Sequence, residues 1–345
     1  MSTKTPQLAF VNRIKEAEYL RKYFKSTPNA ILFLYGPKSC GKTTLIEKVI
    51  QNDLEKKKYA VNYLNLRRII IRDFKSFLDV FFQKSSTRKA KDIISSIVLN
   101  IGFFKVGLED EEMMRKNAFK VMEDKLRKAN QKGIKPIIII DEIQNLKSIY
   151  MNGEKRLLDE LFNFFISLTK ETHLAHIVLA TSDSYFIEEI YNSAKLSKTS
   201  DFYLVNHLEK KDIEDWLGNY SEYSFTKKEI NYIYNYLGGS SWEIKQVLLS
   251  LSNGDDIKEA VKKRIKLLRG QVNLFYDSLD EAQAKNFKKV SSAIAKKGVY
   301  FKKERDGLDN IIPLAIEKDI WFYEASERKI IPNSPSLQHV FLEVF

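Results

Sequence analysis

The chain of 345 residues carries one cysteine, Cys40, so no internal disulfide can form and a reducing compartment is implied. Long apolar runs are also missing. Ala30 to Tyr35 and Ile137 to Ile140 are strand-sized, well short of the roughly 18 residues a membrane span needs. Met1 to Phe10 contains neither a continuous apolar segment nor a small-residue cleavage site, so a secretory signal is not expected. These absences predict a cytoplasmic protein with no membrane partner. No internal repeat, low-complexity tract or Pro/Gly-rich linker marks a boundary. The composition that remains, 44% hydrophobic and 30% charged, is that of a globular protein. Its length suits two or three domains of roughly 100–200 residues.

The formal charge of +12 is unevenly spread. Between Lys262 and Arg305 there are 13 Lys and Arg against 4 Asp and Glu, a local balance of +9. A solvated face and a nucleic-acid surface both account for such a cluster. Lys285, Lys288, Lys289, Lys296 and Lys297 recur at three-, four- and eight-residue separations, so several fall on one face of a helix.

Asn12 to Phe24 has the apolar spacing of an amphipathic helix, with Asn12 as its cap. Ala30 to Tyr35 then reads as a strand buried on both faces, as in parallel sheets covered by helices. Further strands are predicted at Ala60 to Leu66, Pro136 to Ile140, His176 to Thr181 and Phe202 to Val205. Helical stretches separate them, so the core is expected to be α/β, a parallel sheet with helices on both faces. Beyond residue 210 the pattern is helical: Lys210 to Tyr220, Thr226 to Leu237, Ser241 to Leu251 and Ile257 to Leu268. The last stretch predicts helices at Asp280 to Lys297 and Leu308 to Glu317. A hairpin of Ile320 to Tyr323 with Lys329 to Ile331 follows, and helices with a β-ribbon suggest a winged helix.

Gly36-Pro37-Lys38-Ser39-Cys40-Gly41-Lys42-Thr43 fits G-x-x-x-x-G-K-[ST], between a buried strand and a helix, and Thr44 continues into that helix. Glycines let backbone N–H groups turn inward around an anion, and the helix start adds its positive dipole end. These residues are therefore candidate ATP ligands. Lys42 is expected to reach the β- and γ-phosphates and the Thr43 hydroxyl to coordinate Mg²⁺. Cys40, just ahead of the helix, is expected to be a reactive thiol that bound phosphates would shield.

Ile137 to Ile140 ends in Asp141-Glu142, an apolar strand delivering two carboxylates to the edge where open α/β folds bind ligands. Asp141 is the second candidate metal residue, and Glu142 the candidate base for the attacking water. A third strand ends at Thr181-Ser182-Asp183, where Thr181 is the candidate γ-phosphate sensor. Guanine-specific proteins carry Asn-Lys-x-Asp near the end of the sheet. Glu209-Lys210-Lys211-Asp212 lacks the Asn, so adenine is favoured. His173 and His176 have no acidic or Cys partner at ligand spacing and are read as packing residues.

With these three elements in order, the first 250 residues resemble the archaeal ATPase family. That family belongs to the additional-strand, catalytic-glutamate class of P-loop proteins, near the AAA+ and STAND ATPases. Phe10-Val11-Asn12-Arg13 with Glu16 is similar to the family's N-terminal box, which lies near the base, so the resemblance implies Asn12 and Arg13 as cofactor-binding. Gly238-Gly239-Ser240-Ser241-Trp242 resembles the lid motif without its usual Pro. A C-terminal winged helix is also common in the family. The layout implied is an α/β P-loop core over 1–208, a small helical lid over 209–270 and a winged-helix domain over 271–345. Arg264 and Arg269 are the candidates for an arginine finger. The expected function is Mg²⁺-dependent ATP hydrolysis coupled to conformational change, with DNA or a protein as partner of the basic segment. The alternative is a nucleotide-gated switch with negligible turnover.

Overall fold

The computed structural model describes residues 13–55, 58–82, 99–100, 108–151, 153–303 and 306–345. In chain order the strands are β1 (Ile31–Tyr35), β2 (Tyr59–Asn65), β3 (Leu99–Asn100), β4 (Lys135–Asp141), β5 (Tyr150–Met151), β6 (Lys155–Arg156), β7 (His176–Thr181), β8 (Ser200–Leu204), β9 (Tyr300–Phe301), β10 (Trp321–Glu324) and β11 (Lys329–Pro332). The main sheet runs β3-β2-β4-β7-β1-β8. Its five long strands are parallel, as expected, and β3 adds a short antiparallel edge. β5 and β6 form a separate antiparallel pair.

Period-two alternation explains why these strands sit centrally. Ile31, Phe33 and Tyr35 enter one apolar cluster while Leu32 and Leu34 enter the other. β4 divides the same way, with Ile138 and Ile140 on one side and Ile137 and Ile139 on the other. Burying each such side chain contributes about 1.5–3 kcal/mol. Helices Ile14–Lys25 and Lys42–Asp53 cover one face through Leu20, Phe24, Leu45 and Val49. Helices Phe74–Phe81, Leu108–Gln131, Leu157–Ile166 and Ser184–Asn192 cover the other, through residues such as Phe77, Leu126, Phe165 and Ile187. The first helix differs from expectation at its start. It opens at Ile14 with Arg13 in the cap position and no side-chain cap bond, and Asn12 lies outside the described residues. No helix among the described residues is long and apolar enough to cross a membrane.

After β8 the chain forms helices Lys210–Gly218, Lys227–Leu237, Ser241–Ser252 and Ile257–Asp277. The last runs well past the expected end at Leu268, so the boundary placed at residue 270 falls inside one helix. Helices Glu281–Lys297 and Ile312–Glu317 follow, then β10 and β11, then helix Pro335–Val344. The hairpin is present but one residue later than expected, and β9 joins it on the β11 side. One apolar cluster runs from Leu208 through Leu248 and Leu268 to Trp321 and Phe341, so the lid-like helices and the tail share a core. Phe287 stacks on Trp321 at 4.9 Å within it. Gly238 and Gly239 are needed for close approach. A Cβ at Gly238 would collide with Pro335, and one at Gly239 with the Leu208 backbone.

His173 and His176 lie apart in their surroundings. His173 is exposed, with Nδ1 2.6 Å from the Pro28 carbonyl, while His176 is 1% exposed between the rings of Tyr23 and Phe24 at 5.0 and 5.9 Å. Burial, with Lys135 nearby, pushes the His176 pKa down from 6.5 to about 4. The fold therefore favours the neutral ring and binds fewer protons than the unfolded chain. Its stabilisation is fully present above pH 6.5 and is lost as pH falls towards 4, at up to about 1.4 kcal/mol per pH unit. His176→Phe, which keeps an aromatic ring there, is expected to lose less stability than wild type between pH 7 and 4.5. Denaturant unfolding at the two pH values measures this, and equal losses would refute it.

Candidate functional site

The phosphate loop is shaped by contacts below it. Val205, just past β8, donates its N–H to the Tyr35 carbonyl at 2.7 Å, and this brings its own carbonyl so close that a Cβ at Gly36 would collide with it. Ser39 (φ 62°) and Gly41 (φ 97°) take left-handed backbone, which turns the chain into the helix beginning at Lys42. The Lys42 ammonium folds across the loop, donating to the Gly36 and Pro37 carbonyls at 2.8 and 3.0 Å. Thr44 is exposed on the first turn of the helix.

Arg13 sits beneath the loop. Its guanidinium is buried, donates to the Cys40 carbonyl and, at 2.8 Å, to the Asn206 carbonyl, and pairs with Glu16 at 2.6 Å. These contacts make Arg13 a brace between loop and sheet. Cys40 is 2% exposed and packs with Leu34 and Leu45. The thiol expected to be accessible from its place before the helix is buried, with its Sγ 3.7 Å from the Lys42 ammonium behind the loop.

Asp141 closes β4 and is completely buried. Its Oδ2 accepts the Thr43 hydroxyl at 2.6 Å and lies 3.4 Å from the Tyr63 hydroxyl and 3.5 Å from Asn65 Nδ2. Its Oδ1 has no hydrogen-bond partner among the described residues. Burial raises the pKa of this carboxyl, with the Thr43 bond opposing. A buried oxygen without a partner costs about 1–3 kcal/mol, more when charged. A carboxylate beside a threonine hydroxyl is the donor set of a hard cation that takes oxygen ligands, so Thr43 and Asp141 fit Mg²⁺.

Glu142 follows in left-handed backbone (φ 62°), which swings its side chain away from the Asp141 pocket. Oε1 pairs with the Arg67 guanidinium, and Oε2 accepts from Gln144 Nε2 at 2.5 Å and the Ser182 hydroxyl at 3.3 Å. Thr181 does not reach Glu142. Its hydroxyl donates to Gln144 Oε1 at 2.7 Å and accepts the Asp183 N–H at 3.0 Å. Thr181 thus orients the amide that orients Glu142, and Ser182 is the hydroxyl that touches the carboxylate. Arg67, Gln144 and Ser182 were missed as site residues. Arg67 follows β2, whose Asn65 lies in register with Asp141, and that adjacency requires the strand order.

The site opens into two cavities shared with the C-terminal half. One, of about 450 Å³, lies between Glu142, Gln144 and Ser182 on one side and Ile316, Glu317 and Asp319 on the other. The second, of about 760 Å³, runs from Ser39 past Trp242 to Arg264 and Phe275. The candidate fingers are both engaged within the chain: Arg264 with Glu243, and Arg269 with Glu343 at 3.1 Å. Lys38 turns out of the loop, its ammonium paired with Asp319 and its N–H donating to Asn333 Oδ1 at 3.2 Å. Ser241 donates to the Ser39 carbonyl at 3.2 Å.

This arrangement has relatives of known class. Residues 10–247 match the family model of an ATPase domain predominantly from Archaea. The chain is 34% identical over 342 residues to the ATP-binding protein MJ1076 of Methanocaldococcus jannaschii, covering 98% of this chain and 99% of that one. The ATP-binding protein MJ0625 of the same organism is 35% identical over 339 residues, covering 98% and 99%. Among solved structures, the Walker-type ATPase PABY2304 of Pyrococcus abyssi is similar with a TM-score of 0.65 at 14% identity, over 99% of both chains. The ADP form of the Aeropyrum pernix ORC2 protein is similar at a TM-score of 0.54 and 11% identity, over 100% of this chain and 97% of that one. The two structural likenesses speak for the fold alone, whereas the matched family model and the full-length relatives carry the assignment: this chain belongs to the archaeal ATPase family of P-loop proteins.

Proposed function

We propose that this ATPase works by Mg²⁺-dependent hydrolysis with Glu142 as general base. The observation that carries the metal dependence is the buried Asp141 Oδ1 without a partner, beside the Thr43 hydroxyl. Bound Mg²⁺ would neutralise charge on the β- and γ-phosphates. The loop N–H groups bind the phosphates, and Lys42 exchanges the Gly36 and Pro37 carbonyls for phosphate oxygens. Glu142 takes the proton of a water aligned with the γ-phosphate, and Gln144 and Ser182 hold its second oxygen in place. Asn12 lies outside the described residues; a base-side role for it stays a proposal, and Arg13 serves that side by bracing the loop.

The paired state of Glu142 supports a slow resting rate. With Oε1 on Arg67 the base is held, which accords with a nucleotide-gated switch as much as with a fast enzyme. We further propose that the tail, with its helices and β9–β11 ribbon, is a winged helix that carries nucleotide-driven movement to DNA. Lys285, Lys288, Lys296 and Lys297 are exposed on helix Glu281–Lys297, while Lys289 is partly engaged by Asp306 at 3.6 Å and the Tyr300 ring.

Phosphate release tests the chemistry. Glu142→Gln is expected to keep ATP affinity and lose about 10²–10⁴-fold in rate, the usual contribution of a general base. Lys42→Ala is expected to lose affinity, and chelation of Mg²⁺ to abolish turnover. Wild-type rates in Glu142→Gln would remove the base assignment. Arg67→Ala is expected to raise basal turnover several-fold by freeing Glu142; an unchanged or lower rate would show that the pair is no brake. Duplex binding by fluorescence anisotropy is expected to weaken between about 50 and 200 mM salt with a log–log slope of about 0.9 per phosphate contacted. Binding unchanged by Lys288→Glu with Lys296→Glu, or absent at the lower salt, would mean the basic helix is not a DNA surface.

A further inference from the structure

Lys38 stands apart from the rest of the loop because both its backbone and its side chain are claimed by residues roughly three hundred positions later. Its N–H donates to Asn333 Oδ1, and its ammonium pairs with the Asp319 carboxylate. Asp319 sits between helix Ile312–Glu317 and β10 in left-handed backbone (φ 56°), a conformation disfavoured for residues other than Gly, Asn and Asp. Asn333 directly follows β11 and is itself tied to the core, its carbonyl 2.7 Å from His207 Nε2. Lys38, Arg67 and Asp319 line both cavities, and Glu142 lies across the smaller one. Burial raises the Asp319 pKa, Glu142 adds to the rise, and Lys38 and Arg67 oppose it. The mouth of the loop thus holds Lys38 and Arg67 facing Asp319 and Glu142.

A γ-phosphate entering this mouth brings more negative charge beside two carboxylates. Arg67 and Asp319 do not belong to the nucleotide cradle, whereas Lys38 belongs to the loop itself and carries a long flexible stem. The ammonium that the Asp319 carboxylate now holds is one that a phosphate oxygen could also satisfy. We propose that Lys38 is a catalytic cation that contacts the γ-phosphate of bound ATP, and that Asp319 of the tail competes with that phosphate for it. The inference rests on ATP occupying the loop. Unlike Arg264, paired with Glu243, and Arg269, paired with Glu343, Lys38 lies in the phosphate loop itself. ADP has no γ-phosphate, so with ADP Lys38 returns to Asp319 and the tail stays seated on the loop. Competition between two ligands of one group is a reciprocal coupling, and such couplings typically change affinity about 5–150-fold.

The test is the affinity of the full chain for ADP and for a non-hydrolysable ATP analogue, both with Mg²⁺, by calorimetry. Asp319→Asn is expected to tighten the analogue by about fivefold or more, with ADP changed less than twofold. Lys38→Ala is expected to weaken the analogue and spare ADP, and Lys38→Arg to restore it. In the double variant the gain from Asp319→Asn is expected to vanish, because there is no longer an ammonium to free. Asp319→Gly, which suits the left-handed backbone and lacks the carboxylate, should reproduce Asp319→Asn and serves if that variant folds poorly. Equal shifts for both nucleotides, no shift for either, or a gain that survives Lys38→Ala would overturn the proposal while leaving the ATP site intact. A wild-type chain that binds neither nucleotide would overturn both.

Discussion

The burial of Asp141 at the end of an isoleucine strand is the constraint around which the site is arranged. A carboxylate removed from water is disfavoured by several kcal/mol unless hydrogen bonds or cations compensate. The Thr43 hydroxyl, Tyr63 and Asn65 all converge on Oδ2, leaving Oδ1 without a partner among the described residues. Each of these partners follows from the sheet. β2 must lie beside β4 for Tyr63 and Asn65 to reach, and the loop after β1 must rise over the same edge for Thr43 to do so. Burial pushes the Tyr63 phenol pKa up as well, with Asp141 adding to the shift, so the hydroxyl stays a donor to its neighbour.

From that point outward, charges alternate. Glu142 faces Arg67, and beyond them Lys38 faces Asp319. Each cation is thus held by one carboxylate on the far side of the mouth. Left-handed backbone at Ser39, Glu142 and Asp319 marks three places where the chain bends sharply to present these groups; at Ser39 and Glu142 it is strained, and strain of this sort clusters at functional sites.

Much of this is legible in the sequence, and the boundary between what is and what is not has a physical cause. The strands were readable because a sheet covered on both faces requires unbroken apolar runs, and the loop because an anion cradle requires glycine at fixed spacing. Asp141 and Glu142 needed only the end of a run. Arg67 was not readable, since its partner is 75 residues away and meets it only through the β2–β4 neighbour relation. Asp319 and Asn333 are still more remote. Cys40 and Arg13 show another limit. Their positions in the motif were plain, but the direction of a side chain in a tight loop depends on packing beneath it, where Cys40 fills space among Leu34 and Leu45 and Arg13 meets backbone carbonyls.

Packing also bears on how movement in such a chain is divided. Helix Ile257–Asp277 runs from the lid-like helices into the tail, and the apolar cluster around it has no gap at residue 270. A lid that shifts on its own would have to open that cluster, exposing large side chains such as Leu268 and Phe275 at about 1.5–3 kcal/mol each. The contacts at the seam with the core are both polar and apolar: Lys38 with Asp319 and Asn333, Ser241 with Ser39, Tyr323 with Ser184, His207 with Asn333, and the Phe322 ring buried in the core cluster beside Tyr35 with Ile331 next to it. Polar contacts of this kind contribute about 0.5–1.5 kcal/mol each, a scale that nucleotide binding can outweigh. Lid and tail are thus joined to each other through one continuous apolar core and to the P-loop core through both polar pairs and the Phe322 ring, so residue 270 is not where the chain parts most easily, and the phosphate loop lies at the seam between the two clusters.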